Sequence, residues 1–217
     1  MCGRYCISTL RGIERLGLQQ GIQFEARYNV APSQNVPVVV DIEGLKLESF
    51  KWGLIPHWAK DAKVGYRMIN ARAETVDAKP AFRTIFRRRR CLIPADGFYE
   101  WHKDGSVKQP YRITLKDESL FCFAGLWDSW QAPSGETINS CIIITTTPNE
   151  LMANIHDRMP VILPQELETV WLDPEIHDTG FLKQMLRPYL ADQMTAYEIS
   201  TLVNSPKNNF EGIIAPL

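Results

Sequence analysis

The stretch Leu120-Phe121-Cys122-Phe123-Ala124-Gly125-Leu126-Trp127 is apolar at every position and rich in aromatic residues, and it reads as a β-strand. It does not stand alone. Arg90 to Pro94, Pro110 to Leu115, Ser140 to Thr146 and Thr195 to Ser200 read as further strands, and Val36 to Ile42 and Leu45 to Trp52 read as a hairpin about Glu43-Gly44. Helical signals are shorter. One helix is expected from near Ser8, with Leu10, Ile13 and Leu16 on one face, to a stop at Gly21. A second begins at Pro80, with Phe82, Ile85 and Phe86 on a common face and an arginine run at its end. Thr147-Pro148-Asn149-Glu150 has the form of a capping box with Thr147 as N-cap, opening a short helix that ends near His156. Pro164 to Leu172 and Gly180 to Leu190 complete the helical set. The sum is an α+β fold: one strand-rich domain over residues 1–217, mainly an antiparallel sheet or open barrel with flanking short helices.

The 217 residues are 45% apolar, enough to bury a substantial core. Cys2, Cys6, Cys91, Cys122 and Cys141 are widely spaced and odd in number, and the first 20 residues carry Arg4, Arg11, Glu14 and Arg15 without an apolar segment. A reducing, cytoplasmic setting is therefore expected. The apolar stretches are far too short to span a bilayer, so no membrane partner is expected. The net charge of −1 conceals an asymmetry: residues 60–116 hold 14 basic and 6 acidic side chains, residues 117–217 hold 4 and 14. Cations gathered in the middle segment suggest a localised phosphate-binding face. Arg87-Arg88-Arg89-Arg90 reads either as part of that face or as a solvated helix end, which arginine also favours.

The chain opens Met1-Cys2-Gly3-Arg4, so removal of one methionine would leave a cysteine carrying both an α-amine and a thiol. Their reference pKa values, about 7.7 to 8.0 and about 8.5, leave both partly deprotonated near neutral pH. Such a pair can capture an aldehyde: the amine condenses to an imine, and the thiol then closes a thiazolidine ring.

That chemistry needs proton carriers and a group to hold the nucleophile. Glu100 sits among aromatic residues in Asp96-Gly97-Phe98-Tyr99-Glu100-Trp101, near a strand end, where low dielectric would raise its pKa toward neutrality. It could equally cap a backbone or pair with an arginine. His156, in Asn154-Ile155-His156-Asp157-Arg158-Met159-Pro160, titrates in the useful range but could be structural. Asn70 could orient the amine or cap a turn. His57, His102, His156 and His177 fall at no metal-ligand spacing, and neither a metal nor a cofactor is expected. Single-stranded nucleic acid is bound by cations along phosphates and aromatics on bases. Arg4, Arg72, Arg83 and Arg158 could serve the first need, and Trp58, before the polar run Ala59-Lys60-Asp61-Ala62-Lys63-Val64-Gly65, is the best exposed wedge.

Met1-Cys2-Gly3-Arg4, Arg27-Tyr28-Asn29-Val30-Ala31-Pro32, Trp52-Gly53-Leu54-Ile55-Pro56, Ile69-Asn70-Ala71-Arg72-Ala73-Glu74-Thr75, Gly97-Phe98-Tyr99-Glu100-Trp101 and Ile155-His156-Asp157-Arg158-Met159-Pro160 together resemble the SOS response-associated peptidase (SRAP) family. The blocks occur in family order over nearly the whole chain. The resemblance implies a protein that binds single-stranded DNA containing an abasic site and joins its amino-terminal cysteine to the ring-opened sugar as a thiazolidine. It implies Cys2 as nucleophile, Asn70 as its positioner, Glu100 as acid/base, and His156 as an aid to ring opening. Arg4, Arg72 and Arg158 match phosphate-holding positions; Arg83 and Trp58 sit where the family also has DNA contacts. The family name further implies proteolysis, at least self-removal of Met1, and a lyase-type activity is compatible with the same residues. Two other readings remain: a thiol peptidase or amidohydrolase using Cys2, and a non-catalytic single-strand-binding module. A monomer is expected, associated with the nucleoid when DNA is bound.

Overall fold

The computed structural model describes residues 2–18, 24–105 and 107–217. In chain order the strands are β1 (Tyr5–Ile7), β2 (Arg27–Val30), β3 (Asn35–Asp41), β4 (Leu45–Trp52), β5 (Asn70–Arg72), β6 (Arg90–Ala95) and β7 (Gly97–Asp104). Then come β8 (Val107–Leu115), β9 (Phe121–Gln131), β10 (Thr137–Thr146), β11 (Met159–Pro160), β12 (Ile162–Leu163) and β13 (Met194–Glu198). The α-helices are α1 (Arg83–Arg88), α2 (Glu150–Ala153), α3 (Gln165–Leu172) and α4 (Thr179–Gln184).

Strands β4, β3, β6, β9 and β10 pair in succession, and β10 returns to β4, so five strands form a closed ring. Four joints are antiparallel; β10–β4 is parallel, with Ser140 opposite Lys51. Closure removes the exposed edges an open sheet would carry. A second, antiparallel sheet has the order β13-β8-β7-β1-β2. Asp96 is the single residue between β6 of the ring and β7 of the second sheet. Its carboxylate accepts from the Ser8 backbone and hydroxyl and lies 3.6 Å from Arg112, pinning the corner where the chain changes sheets.

The unbroken apolar run of β9 follows from burial on both faces. One face, with Leu92, Ala124, Leu126, Ile142 and Ile144, packs in the cluster that includes Phe86 of α1 and Trp171 of α3. The other, with Phe50, Trp52, Ile93, Phe123 and Ile143, packs with Tyr5, Phe98 and Ile113 of the second sheet. Each such side chain stabilises the fold by about 1.5–3 kcal/mol relative to exposure. Tyr5 bridges the sheets, its ring edge-on to Trp52 at 5.4 Å and to Phe123 at 5.8 Å.

Several elements differ from the sequence reading. The helix expected from Ser8 is one 3₁₀ turn, Ile13–Leu16, ended at Gly17 in the left-handed conformation; the expected stop at Gly21 lies outside the described residues. Asn149, not Thr147, caps α2, its side chain accepting from the Met152 N–H, and α2 ends at Ala153, before His156. Asp178 caps α4, which stops at Gln184, short of the expected Leu190; Pro188 disfavours helix in the residue before it. Glu100 is mid-strand in β7 rather than near an end. The hairpin and α3 form as read; the helix expected from Pro80 begins only at Arg83, with Phe82 as its N-cap and Ile85 and Phe86 buried. No helix among the described residues is long and apolar enough to cross a membrane.

Candidate active site

The amino-terminal segment lies along β7. Tyr5 pairs with Phe98 and Cys6 with Gly97, and the Tyr99 N–H donates to the Arg4 carbonyl, so residues 2–4 run beside Glu100. Cys2 is fully buried, its Sγ 3.9 Å from the Arg4 carbonyl. Burial first, and the Glu100 charge second, push the thiol far above its ordinary pKa. Glu100 is only 3% exposed, and burial raises its pKa to about 7. The carboxyl is therefore poised between donor and acceptor near neutrality.

His156 approaches from the loop after α2, its Nε2 3.9 Å from Glu100 Oε2. The Arg158 backbone N–H donates to Nδ1 at 3.0 Å, which assigns the imidazole proton to Nε2, toward Glu100. Asp157, largely exposed, also lies 2.9 Å from Nδ1. Burial lowers the His156 pKa, favouring the neutral ring. Glu100 and His156 line a cavity of about 390 Å³ with Trp101, Lys103, Lys108 and Asn204.

Asn70 opens β5, whose parallel pairing to β10 sets it opposite Ile143. Its amide oxygen and nitrogen are both buried without a hydrogen-bond partner among the described residues. A buried unpaired amide costs about 1–3 kcal/mol per group, which a ligand would recover. Its neighbour Ile69 packs on the apolar cluster containing Cys2.

The arginines divide. Arg4 donates through Nη1 to Asn29 Oδ1 and the Val203 carbonyl, both at 2.7 Å, and keeps a buried Nε without a partner. Arg158 grips Glu74 with both ends of its guanidinium, at 2.6 and 3.0 Å, and the Thr145 carbonyl at 2.7 Å. Arg72 is exposed at the end of β5, opposite the same Thr145. Arg83 and Trp58 stand away from the Glu100 cavity: with His57, Thr84 and Asp128 they line a second one of about 370 Å³. Of the arginine run, Arg89 pairs with Asp128, and Arg90 is buried against the carbonyls of Phe86, Arg87, Trp171 and Asp173. Arg90 thus closes the ends of α1 and α3, while Arg89 is tied to β9.

The family model for SOS response associated peptidase (SRAP) matches residues 1–206. This chain belongs to that family. It is 50% identical to the abasic site processing protein YoqW of Bacillus subtilis over 99% of both chains. It is 33% identical to the abasic site processing protein HMCES of Xenopus tropicalis, over 86% of this chain and 65% of that one. A crystal structure of a protein from Bacteroides thetaiotaomicron superposes with a TM-score of 0.89 at 31% identity, covering both chains fully.

Two supports of this SRAP site escape a reading of chemistry-bearing residues alone. Buried Asn29 accepts from Arg4 while its Nδ2 meets the carbonyls of Val203, Ser205 and Asn208, tying the amino-terminal segment to the chain's last third. Glu74 holds Arg158, and that bond pulls the Glu74 carboxyl below its usual range. The signal for Asn29 was a lone amide between aromatic and apolar neighbours in Tyr28-Asn29-Val30; Glu74 carried none beyond its charge.

Proposed function

We propose that this protein binds single-stranded DNA at abasic sites and, once Met1 is removed, joins Cys2 to the ring-opened sugar as a thiazolidine that shields the lesion. The observation that carries this reading is Glu100: a buried carboxyl of pKa about 7, beside the Cys2 segment and 3.9 Å from His156. The freed α-amine attacks the C1′ aldehyde, and Glu100 takes the amine proton. Protonated Glu100 returns that proton to the alkoxide, giving the carbinolamine; a second proton passes from nitrogen through Glu100 to the hydroxyl, which leaves as water and gives the imine. The Cys2 sulfur then adds to the imine carbon, its proton passes to the nitrogen, and the ring closes. A thiol held far above its usual pKa is a poor first nucleophile, which favours this order, with the amine first. His156, through Nε2–H, assists sugar ring opening, and Asn70 holds the amine with its unpaired amide. Arg4, Arg72 and Arg158 hold phosphates near the lesion; Arg83 and Trp58 hold the strand farther out.

The names of the relatives, which process abasic sites, point to the same substrate. Peptidase activity in this reading is limited to the removal of Met1, and reversal of the adduct through Glu100 is its lyase-type counterpart. The protein acts as a cytoplasmic monomer that joins the nucleoid with its DNA. To test this, Met1-trimmed protein is incubated with an abasic oligonucleotide and examined by denaturing gel and intact mass. A heat-stable band with the mass of protein plus DNA less one water is expected. Absence of a shifted band overturns the reading, and turnover of a peptide through a hydroxylamine-sensitive thioester replaces it with a thiol hydrolase.

A further inference from the structure

We infer that Glu74 stands in for a phosphate: its carboxylate fills the two-pronged face of Arg158 in the free protein, keeps isolated anions off it, and gives way when a strand docks. This rests on the reading above, in which Arg158 holds a phosphate, and adds what that arginine must first release.

A guanidinium has five N–H donors, and most of those on Arg158 are engaged. Nη1 donates to Glu74 Oε1 at 2.6 Å, and Nη2 donates to Glu74 Oε2 at 3.0 Å and to the Thr145 carbonyl at 2.7 Å. Nε is buried, where no solvent reaches it. The Glu74 side chain, 46% exposed, is thus the outer partner of an arginine only 12% exposed. A ligand that needs both prongs has to take the place of the carboxylate. A phosphodiester can do so, because it carries the same single charge and suits the same fork.

The surroundings suit an exchange. The backbone on either side of Glu74 is fixed, with the Ala73 N–H on the Thr145 carbonyl at 2.9 Å and the Thr75 N–H on the Arg72 carbonyl at 3.1 Å. Only the Glu74 side chain has to turn, a fast motion for a half-exposed group. Arg158 keeps the Thr145 carbonyl while it does so. The released carboxylate enters water beside the Lys183 ammonium, which already donates to the Glu74 carbonyl at 3.2 Å. The Arg158 hydrogen bonds first, and the Arg72 charge after them, hold the Glu74 carboxyl below its usual range, so an entering phosphate meets two cations. An isolated anion trades one two-pronged bond for another and gains almost nothing. A strand gains its contacts at Arg4 and beyond in the same event, which offset the exchange.

The test measures binding of an undamaged, fluorescent single strand of about twenty nucleotides by anisotropy. Wild type is compared with Glu74→Gln, Arg158→Gln, the double variant, and Asp77→Asn, whose carboxylate is tied to Lys183 instead. Glu74→Gln is expected to bind about 2- to 5-fold tighter, the strength of a partly exposed ion pair, even though its Tm falls. In the Arg158→Gln background the same change is expected to have no effect, and Asp77→Asn is expected to bind as wild type does. Inorganic pyrophosphate is expected to raise the Tm of Glu74→Gln and to leave that of wild type unchanged. Weaker binding by Glu74→Gln overturns the exchange and makes Glu74 a plain support for Arg158. Equal tightening without Arg158, or by Asp77→Asn, also overturns it and assigns the effect to the general field. An equal pyrophosphate response in wild type overturns the screening of isolated anions. Wild-type crosslinking to abasic DNA is run alongside. If crosslinking fails while the coupling of Glu74 to Arg158 persists, the proposed reaction falls and the exchange stands; if crosslinking succeeds without that coupling, the reverse holds.

Discussion

The Glu100 cavity and the loop from Trp58 to Arg67 solve different problems with opposite materials. Around Glu100 the groups are buried, carried on strand β7 and the anchored segment beside it, and their proton affinities are moved by burial: the carboxyl up, the imidazole and the Arg4 guanidinium down. Along the loop the side chains are exposed, aromatic and cationic. The contrast has a physical basis. Moving protons at neutral pH requires low dielectric and fixed geometry, so that site costs stability and sits on regular structure. Gripping a flexible polyanion requires reachable faces and charges, which cost the fold almost nothing.

The sharpest way to break this contrast is Cys2→Ala. It is expected to abolish the covalent adduct, measured as the shifted band on a denaturing gel, while leaving non-covalent binding of undamaged single strands intact.

Next in size is Glu100→Gln, expected to slow adduct formation by about 10²- to 10⁴-fold in single-turnover kinetics. The same variant tests what the site costs. The Glu100 pKa is raised in the folded protein, so its stability contribution is full below about pH 4.5 and is lost as pH rises through about 7. Glu100→Gln should therefore be more stable than wild type at pH 8, by about 2–3 kcal/mol, with the difference vanishing near pH 4.5. Urea melts at both pH values measure this, and a variant less stable at pH 8 would contradict the buried, proton-holding carboxyl.

Trp58→Ala moves the other half of the comparison. It is expected to weaken single-strand binding by about 1–3 kcal/mol, read by anisotropy, without lowering Tm, because the indole is mostly in solvent. The smallest effect is Glu74→Gln, which removes the anchor of Arg158. Glu74 is partly exposed, so the loss is about 1 kcal/mol, a fall in Tm of about 2–4 °C by calorimetry.

The strand-rich α+β class was legible because β9 and β10 announce burial on two faces in an unbroken apolar run, and the hairpin announces itself at Glu43-Gly44. Strand β7 was not legible. Gly97 to Asp104 mixes aromatics, acids and bases, since one short strand must pack against the core, carry Glu100 and reach solvent. The 3₁₀ turn at Ile13–Leu16 was over-read as a longer helix because three apolar residues at helical spacing are also satisfied by a single turn in a buried corner.

For the site, sequence singled out Cys2, Asn70, Glu100 and His156 by residue type and neighbours, and the shared order of six blocks tied them to one family. It could not say that Arg158 would be clasped by Glu74, that Arg4 would lean on Asn29, or that Arg83 and Trp58 would line a separate cavity. What the sequence determined by itself was the chemistry available, because side-chain reactivity and local periodicity are written residue by residue. What only the tertiary structure decided was which groups share a low-dielectric space and which stand in water. Those depend on pairings such as Tyr5 with Phe98 and Asn70 with Ile143, made between positions far apart along the chain.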